Sequence, residues 1–534
     1  MTVSLKELIV VLAIAVIVFR LLKPAITIFC REQDFSRRRN AWILLTIAAF
    51  LSPNFWVYAA FAVPVVIWTG RKDPNPGALY LLLFQVIPTI SVTIPMVGLS
   101  RLFNLDNYLL LSIFLLAPAA YRIIHSKGRI GTSRFTLVDA MILSYGALSA
   151  FHYLRPELSP GVLSPFTFTD GLRRAFVFVI GLYVPYFVFS RTVSDRAVLV
   201  ENLATYCLAC AIMAATALFE TSRHWLLYGE LAARWGHAAT YSDYYVREGS
   251  IRAMASAGHP LALGFLLEIA IGFWLCLQPP SMPKRYRLGV LALLVLGLVV
   301  TYSRGPWLAA LCIVLVFYAL RPRPFSRLMK LAAAAAVCVG FVSLLPTGER
   351  ILDMLPLIGA STHDASLTYR QRLLDDAWPI IQQYPFLGDP TALLGLQNLR
   401  QGERIIDIIN SYIDVLLSDG FLGLTLFLGI VMIGLRRSYR VCRRTIVSAP
   451  RLSVIGSSLI ACTVGTFVLM WDGSFGGGLE QMYYALAAFM IGYSYIGRLS
   501  GEQDLQAPSE RPPFQHNRER SDVRPTKPLF NDKK

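Results

Sequence analysis

The chain has 534 residues, of which 55% are hydrophobic and only 16% are charged, and its mean hydropathy is +0.53. This composition excludes a soluble domain with a single anchor and indicates a polytopic membrane protein. The net charge of +17 does not predict a nucleic-acid partner, because Lys and Arg cluster in short loops between apolar segments. That pattern is typical of membrane topology and of contact with anionic membrane lipid.

The first 70 residues contain N-terminal membrane segments. Residues 5–22 form an apolar run that no small-residue cleavage site follows, so we interpret the run as a retained membrane helix. Residues 41–69 are apolar over a length that suits either one long span or a short hairpin turning at Ser52-Pro53-Asn54. The sequence leaves both alternatives open.

Beyond residue 70, apolar segments alternate with short basic loops. An even number of apolar segments lies between neighbouring basic loops, so these loops fall on the side of the membrane that retains Lys and Arg. The twelve predicted spans, each near the length that a bilayer requires, cover residues 78–98, 107–122, 136–153, 173–190, 197–218, 260–278, 286–303, 306–322, 328–346, 413–435, 452–471 and 481–497. With the earlier segments, they predict an all-α polytopic membrane protein of about 14 transmembrane helices.

Two of the loops on the non-cytoplasmic side are long, and loops of such length between membrane helices are usually functional. The second has helical periodicity at 370–384 and 404–418, which predicts a small helical cap. The charged, Pro-rich tail is predicted to be disordered and cytoplasmic. The predicted divisions are membrane segments at 1–70, membrane helices at 71–218, 260–346 and 413–498, long loops at 219–259 and 347–412, and the tail at 499–534.

The eight cysteines predict neither a disulfide framework nor a metal site. Nearly all lie in apolar or basic segments, and no Cys/His spacing matches a metal-ligand pattern. Cys207 and Cys210 form a CxxC inside an apolar helix, where packing is the favoured interpretation. Asp139 and Glu268 lie within predicted spans, where carboxyl groups are costly, so we expect them to bond between helices or to mark a polar path.

Residues 301–307, Thr-Tyr-Ser-Arg-Gly-Pro-Trp, interrupt an apolar run that has basic residues beyond both of its ends. Two basic ends on one side of the membrane mean that the chain crosses and returns. The turn at Ser303–Pro306 therefore lies on the positive-poor face, and Arg304 is a candidate for binding an anionic lipid head group. The alternative is that Arg304 only reaches the head-group layer as a snorkelling side chain.

Further motif residues lie in or beside the two long loops. The first loop contains Arg252 and ends at Gly258-His259-Pro260. The second contains Tyr369-Arg370-Gln371-Arg372 and later Pro385 and Gly388, and it closes with Asn410-Ser411-Tyr412, Gly420 and Gly423. Together with the Ser303-Arg304-Gly305 turn, these motifs resemble the bacterial O-antigen ligase and O-antigen polymerase superfamily over roughly residues 220–435.

The resemblance implies glycosyl transfer at the periplasmic face of the bacterial inner membrane. The donor would be an oligosaccharide on undecaprenyl pyrophosphate, and the pyrophosphate would leave as an acceptor hydroxyl attacks the anomeric carbon. Such enzymes need neither metal nor cofactor, so protein cations must neutralise the leaving group. Arg304 and Arg370 match the family's motif arginines, with Arg372 as a fallback for Arg370. The other substrate-binding candidates are Arg252, His259, Ser303, Asn410 and Tyr412.

Two of these residues have simpler interpretations that the sequence leaves open. Arg370 has Asp375 and Asp376 nearby in the chain as partners for a surface ion pair. His259 stands immediately before a helix that begins with Pro260, where a hydrogen-bonding structural role is favoured over a role as a catalytic base.

One departure from the family pattern concerns the acceptor side of the reaction. In the ligase branch a histidine usually precedes the Asn of the closing motif, whereas here the residue is Ile409, which cannot take a proton. Asp407 is the nearest titratable group and becomes the candidate base. The departure favours a polymerase of lipid-linked repeat units, with a chain-length regulator as a candidate partner. The alternatives are a ligase that transfers finished glycan and a flippase that only moves the lipid-linked sugar.

Overall fold

The computed structural model describes residues 3–95, 102–125, 135–153, 167–193, 195–236, 245–247, 249–343, 365–399, 406, 408–473 and 478–506. The described chain is helical apart from turns and two short antiparallel hairpins, and this agrees with the predicted all-α class. The hairpins pair β1 (Val92–Thr93) with β2 (Asn104–Leu105) and β3 (Val246–Arg247) with β4 (Ser250–Ile251).

The helices follow the order of the apolar segments along the chain. They are α1 (Val3–Ile26), α2 (Glu32–Leu51), α3 (Phe55–Lys72), α4 (Pro76–Leu83), α5 (Asn107–His125), α6 (Leu137–His152), α7 (Phe168–Thr192), α8 (Arg196–Arg223), α9 (Gly229–Arg234), α10 (Pro260–Cys276), α11 (Lys284–Val299), α12 (Arg304–Ala319), α13 (Pro324–Ser343), α14 (Ala365–Gln383), α15 (Ser411–Ser448), α16 (Pro450–Asp472) and α17 (Leu479–Gln506).

Several of these helices have the length and composition of membrane spans. Among the described residues, six helices of at least 18 residues qualify, and they are α1, α5, α7, α8, α15 and α16. Shorter apolar helices are α6, α10 and α12. Since a bilayer core needs about 20 apolar residues per helix, the chain is a multi-pass membrane protein. The figure of about 14 crossings stays a prediction.

The segment at residues 41–69 adopts the hairpin alternative. Helix α2 ends at Leu51 and α3 begins at Phe55, so the turn lies at Ser52-Pro53-Asn54. Pro53 has no N–H with which to continue the helix. The Asn54 side chain accepts the N–H of Val57 at 3.0 Å and thereby caps α3.

The predicted span at 78–98 differs from the structure. Helix α4 ends at Leu83, and the chain then becomes extended and forms the β1–β2 hairpin. Pro88 and the β-branched residues that follow it disfavour a continued helix, although the stretch is apolar enough to suggest one.

The central packing of the bundle brings α12, α10 and α16 close together. Missing Cβ atoms permit this approach: Gly264 of α10 faces Pro306, and Gly465 of α16 faces Ile313. The packing fixes the first turn of α12 against the last turn of α16. The packing interpretation of the CxxC is also confirmed, because Cys207 and Cys210 are buried free thiols whose sulfur atoms donate to carbonyls of α10.

A second, smaller core lies outside the main bundle. It joins α14, a 3₁₀ segment at Ala392–Leu399 and the first turns of α15. The buried members are Leu373, Ala377, Ile381, Ala392, Leu396, Leu399, Ile408, Ile413 and Leu417. We call α14 together with the 3₁₀ segment the cap helices. They follow the helical periodicity that the sequence predicted at 370–384, whereas much of the preceding loop lies outside the described residues.

Arg38 lies in a buried ion network at the end of the bundle that contains the predicted basic loops. Its guanidinium donates to both carboxylate oxygens of Asp73, at 2.8 and 2.7 Å, and also pairs with Glu201 at 2.9 Å. Asn75 donates to Glu201 at 2.9 Å and so joins α8 to the same network. Helices α2, α3 and α8 are therefore held together by a charge that is fully enclosed.

Candidate functional site

The Ser303-Arg304-Gly305 turn is held in place by Arg252. The Arg252 guanidinium is buried and donates to the carbonyl of Thr301 at 3.2 Å and to the Ser303 hydroxyl at 2.8 Å. The N–H of Ala253 also donates to the carbonyl of Val300 at 3.1 Å. These contacts show that Arg252 fixes the turn, and its predicted role in substrate binding stays a prediction. Ser303 is likewise buried and acts as the N-cap residue of α12.

Glu220, near the end of α8, organises the segment that contains Arg252. Its buried carboxylate accepts the backbone N–H groups of Leu227, Met254 and Ala255 at 3.0, 3.0 and 2.8 Å. A carboxylate that receives three backbone hydrogen bonds makes a rigid local centre. The sequence analysis did not single out Glu220. Its position near the end of an apolar helix, where a carboxyl group is unusual, could have identified it.

His259 caps the start of α10. Its Nδ1 accepts the N–H of Leu261 at 3.2 Å, which requires the neutral ring. Burial, with a smaller contribution from the neighbouring Arg252, lowers the pKa of His259 to about 4. The structural role that the sequence favoured is therefore supported. A ring with so low a pKa is a poor base near neutral pH.

Asp472, the last residue of α16, joins the Arg370 helix to the turn that contains Arg304. Its Oδ1 pairs with Nη2 of Arg370 on the cap helix α14. Its Oδ2 lies against Gly305, where a Cβ would collide with the carboxylate. Glycine is thus required beside Arg304 because the Asp472 side chain occupies the space. The turn and the Arg370 helix, which are distant in sequence, meet at this carboxylate.

Arg370 retains hydrogen-bonding capacity in this arrangement. Its side chain is 30% exposed, and that of Asp472 is 20% exposed. Among the described residues, no acceptor bonds to Nε of Arg370. The recorded ion-pair partner is Asp472 rather than Asp375 or Asp376, the two partners suggested by proximity in the sequence. A guanidinium has five donors in a fork, so Arg370 can hold Asp472 and a further anion together.

The closing motif docks on the end of α16. The backbone N–H and the hydroxyl of Ser411 both donate to the carbonyl of Gly473, at 3.1 and 2.6 Å. The Asn410 side chain caps α15 by accepting the N–H groups of Tyr412 and Ile413. The Tyr412 hydroxyl donates to the carbonyl of Phe467 at 2.8 Å. The side chains of Asn410 and Tyr412 serve this docking, and their predicted role in substrate binding stays a prediction.

The Pro385…Gly388 and Gly420 motifs lock into each other. Helix α15 breaks at Gly420, where φ is 64° and ψ is −167°. The freed N–H groups of Phe421 and Leu422 donate to the carbonyls of Pro385 and Phe386, at 2.8 and 3.1 Å. Gly388 also has a positive φ, and a Cβ at either glycine would strike the other segment. This junction anchors the cap helices to α15.

The remaining predicted residues are separated from this junction. Arg372 is exposed, and two helical residues turn it about 200° away from Arg370. Asp407 lies outside the described residues. Asp139 pairs with Arg191, as expected of a carboxyl group that bonds between helices. Glu268 is buried, and within the described chain neither of its oxygens has a hydrogen-bond partner.

A metal site was not predicted from the sequence. Within the part of the chain that the structure describes, no group of three or more His, Cys, Asp or Glu side chains has a metal-binding arrangement. Metal independence remains a prediction.

Comparison with known proteins finds a family model that matches part of the chain. Residues 289–428, roughly a quarter of the chain, match the family model described as O-Antigen ligase. The match contains Arg304, Arg370, Asn410 and Gly420, and it ends before Asp472. No curated protein matches the chain.

The match indicates function of the O-antigen ligase and polymerase type. Members of this family are glycosyltransferase-like enzymes of polysaccharide or glycan transfer, and they act on lipid-linked oligosaccharides. The geometry is consistent with such a substrate, because the Arg370 side chain pairs with a carboxylate that lies against Gly305, the residue that follows Arg304. The match over residues 289–428 supports a relationship of this segment to the O-antigen ligase and O-antigen polymerase superfamily.

Proposed function

We propose that the protein polymerises undecaprenyl-pyrophosphate-linked oligosaccharide units into exopolysaccharide or O-antigen, with release of undecaprenyl pyrophosphate. The observation that carries the proposal is the junction at Asp472, which pairs with Arg370 and lies against Gly305, the residue that follows Arg304. The donor and the acceptor are both lipid-linked. The family match gives no support for a chain-length regulator, which is not part of the proposal.

The two arginines would act on the leaving group. As the bond between the anomeric carbon and the phosphate breaks, negative charge grows on the pyrophosphate. Arg370 has donors beyond those that face Asp472, and Arg304 begins α12 with the positive end of the helix dipole behind it. Guanidinium groups bind phosphate oxygens bidentately and stay charged at every working pH.

The proposed location is the bacterial inner membrane, with the site facing the periplasm. The predicted basic loops lie at the helix ends opposite the Arg304 turn, and membrane proteins retain Lys and Arg on the cytoplasmic side. The partly exposed Arg370 and Asp472 side chains would then meet lipid-linked sugars in the outer half of the membrane. Membrane lipid is the remaining partner.

The test is polymerisation by purified protein in detergent, using a lipid-linked repeat unit as donor and acceptor. We expect Arg304→Ala and Arg370→Ala each to lower the rate by about 10²–10³-fold, the usual effect of removing one preorganised donor at a developing charge. In cells that produce either alanine variant, the lipid-linked glycan should consist of single repeat units. Arg372→Ala, on the opposite face of the same helix, is the matched control and should keep normal chain length. Polysaccharide chains of normal length in both the Arg304→Ala and the Arg370→Ala variant would contradict the proposal.

A ligase that transfers finished glycan to a lipid or protein acceptor is the second candidate, favoured by the description of the matched family. Loss of the gene distinguishes the two functions. Loss of a ligase leaves polymerised glycan on the undecaprenyl carrier, whereas loss of a polymerase leaves single units. Sugar transfer in detergent, where there is no second compartment, also excludes a protein that only flips the lipid-linked sugar.

A further inference from the structure

We propose that Asp472 is the catalytic base that takes the proton from the attacking acceptor hydroxyl. The proposal rests on the proposed glycosyl transfer and adds the residue on the acceptor side of that reaction. Asp472 lies beyond the segment that matches the family model. It reaches the site only because α16 packs against α12, with its last turn beside the Arg304 turn.

The geometry fixes the carboxylate while leaving it accessible. Arg370 holds Oδ1, and the missing Cβ of Gly305 makes room for Oδ2. A side chain held from two directions keeps one rotamer, which is a requirement for a preorganised base. The Asp472 side chain is nevertheless 20% exposed, so a sugar hydroxyl can approach it.

The closing motif docks on the residue next to this aspartate. Ser411 donates two hydrogen bonds to the carbonyl of Gly473, the residue that follows Asp472. Ile409 precedes that docking point by two residues and supplies no titratable group. Asp472, arriving from α16, brings a carboxylate to the same junction.

The reaction balances with Asp472 in this role. The acceptor oxygen forms a bond to the anomeric carbon as its proton passes to the Asp472 carboxylate. The bond between the anomeric carbon and the phosphate oxygen breaks, and the electron pair leaves with the pyrophosphate held by Arg304 and Arg370. The Asp472 carboxylate is regenerated when its proton passes to water. No oxidant, reductant or further reactant is needed.

Distances also suit a base and a leaving group that share one arginine. A base lies about 3 Å from the acceptor oxygen, which lies about 3 Å from the carbon it attacks. The leaving phosphate is on the far side of that carbon. Nη2 of Arg370 contacts Asp472, and 30% of the Arg370 side chain is exposed. We propose that this guanidinium stands between the two groups.

Other described candidates near this end of the bundle fit the role less well. The Nδ1 atom of His259 accepts the helix-capping hydrogen bond. His152 and Asp419 pair with each other at 3.2 Å, with side chains only 2% and 9% exposed. Among the described residues, the charged or titratable groups on elements around Asp472 include Arg304 of α12, Arg370 of α14, Tyr412, Asp414 and Asp419 of α15, His259 at the start of α10 and Glu480 of α17.

The test compares Asp472→Asn, Arg370→Ala and the unaltered protein. Asparagine keeps the size of the side chain and an oxygen for Arg370, but it accepts a proton poorly. We expect Asp472→Asn to lower the transfer rate by at least about 10²-fold, while the dissociation constant for undecaprenyl pyrophosphate changes less than about 3-fold. The transfer rate of the unaltered protein should fall toward acidic pH as the carboxylate protonates, and Asp472→Asn should lose this dependence. Asp472→Glu, which restores a carboxylate, should recover part of the rate.

Each outcome bears on one of the two proposals. A purely positioning role for Asp472 would weaken pyrophosphate binding and keep the acidic fall in rate, and this result overturns the base. Transfer by Asp472→Asn within about 10-fold of normal, with Arg370→Ala inactive, also overturns it and leaves the polymerase intact. Normal transfer by Arg370→Ala refutes the arginine mechanism itself. Thermal unfolding of the Asn and Glu variants in detergent checks that both are folded.

Discussion

Arg38 and Arg370 are both paired with an aspartate at or next to a helix C-terminus, yet their surroundings differ. Arg38 is 2% exposed, binds both oxygens of Asp73 and also pairs with Glu201. Arg370 is 30% exposed and pairs with one carboxylate, that of Asp472. Arg38 is enclosed by two carboxylates and holds helices together. Arg370 is partly open to solvent, which is what binding a further anion requires.

The largest expected loss of stability comes from replacing the buried arginine, Arg38. Arg38→Met leaves Asp73 and Glu201 buried without their cation, and breaking such a network typically costs about 3–5 kcal/mol of unfolding free energy. Arg370→Met is the matched control and should cost no more than about 1 kcal/mol, because its ion pair is partly exposed. Thermal unfolding of both purified variants in detergent measures the contrast. Equal losses of stability would remove the distinction between the two arginines.

The junction of α15 with the cap helices gives an intermediate effect. Gly420→Ala places a side chain at φ 64°, ψ −167° and against Phe386, so we expect about 1–3 kcal/mol of strain and a looser cap. Protease accessibility of the cap should rise, and sugar transfer should fall with it because Arg370 lies on the cap. Gly289→Ala is the control, since a Cβ there has open space around it. Unchanged transfer in Gly420→Ala would mean that the site does not depend on this junction.

At neutral pH the smallest effect is that of His259, because its contribution changes only as the solution becomes acidic. The folded protein lowers the pKa of His259 to about 4, below the ordinary value of about 6.5. The unfolded chain therefore binds the proton first as pH falls. Stability from neutral His259 is present above about pH 6.5 and is lost as pH falls toward 4, by up to about 1.4 kcal/mol per pKa unit.

His259→Asn keeps a capping oxygen but does not titrate, which makes it the comparison variant. The gap in unfolding temperature between the two proteins should change between pH 6.5 and 4, with the unaltered protein losing more. A gap that is constant over this range would show that His259 is not the titrating group.

Local features of the fold could be predicted from the sequence, whereas the meeting of distant segments could not. Charge placement and apolar length predicted the chain reversal at Ser303–Pro306, and periodicity predicted the helix that carries Arg370. Asp472 directly follows the predicted span at 452–471, and no sequence pattern singled it out. Its contact with Arg370 depends on the packing of α16 and α12, which no local pattern encodes. Proximity in sequence suggested Asp375 and Asp376 as partners for the same reason.

Two further features of the structure also differ from what local sequence patterns suggest. Pro88 and the β-branched residues after it argued against a continuous helix over 78–98, where the chain forms an extended hairpin. The contacts of Arg252 with the turn had no sequence signal, because a basic side chain in a loop looks the same whether it binds substrate or backbone. Only its hydrogen bonds to Thr301 and Ser303 separate these roles.

The ion pair between Arg370 and Asp472 has a consequence for biogenesis. A ribosome makes the cap well before α16, so the cap initially has its anchor at Gly420 and lacks the one at Asp472. The site becomes complete only when the hairpin of α15 and α16 has inserted and Ser411 has met Gly473. A nascent or truncated chain that ends before α16 would therefore carry both motif arginines and still be an unassembled enzyme.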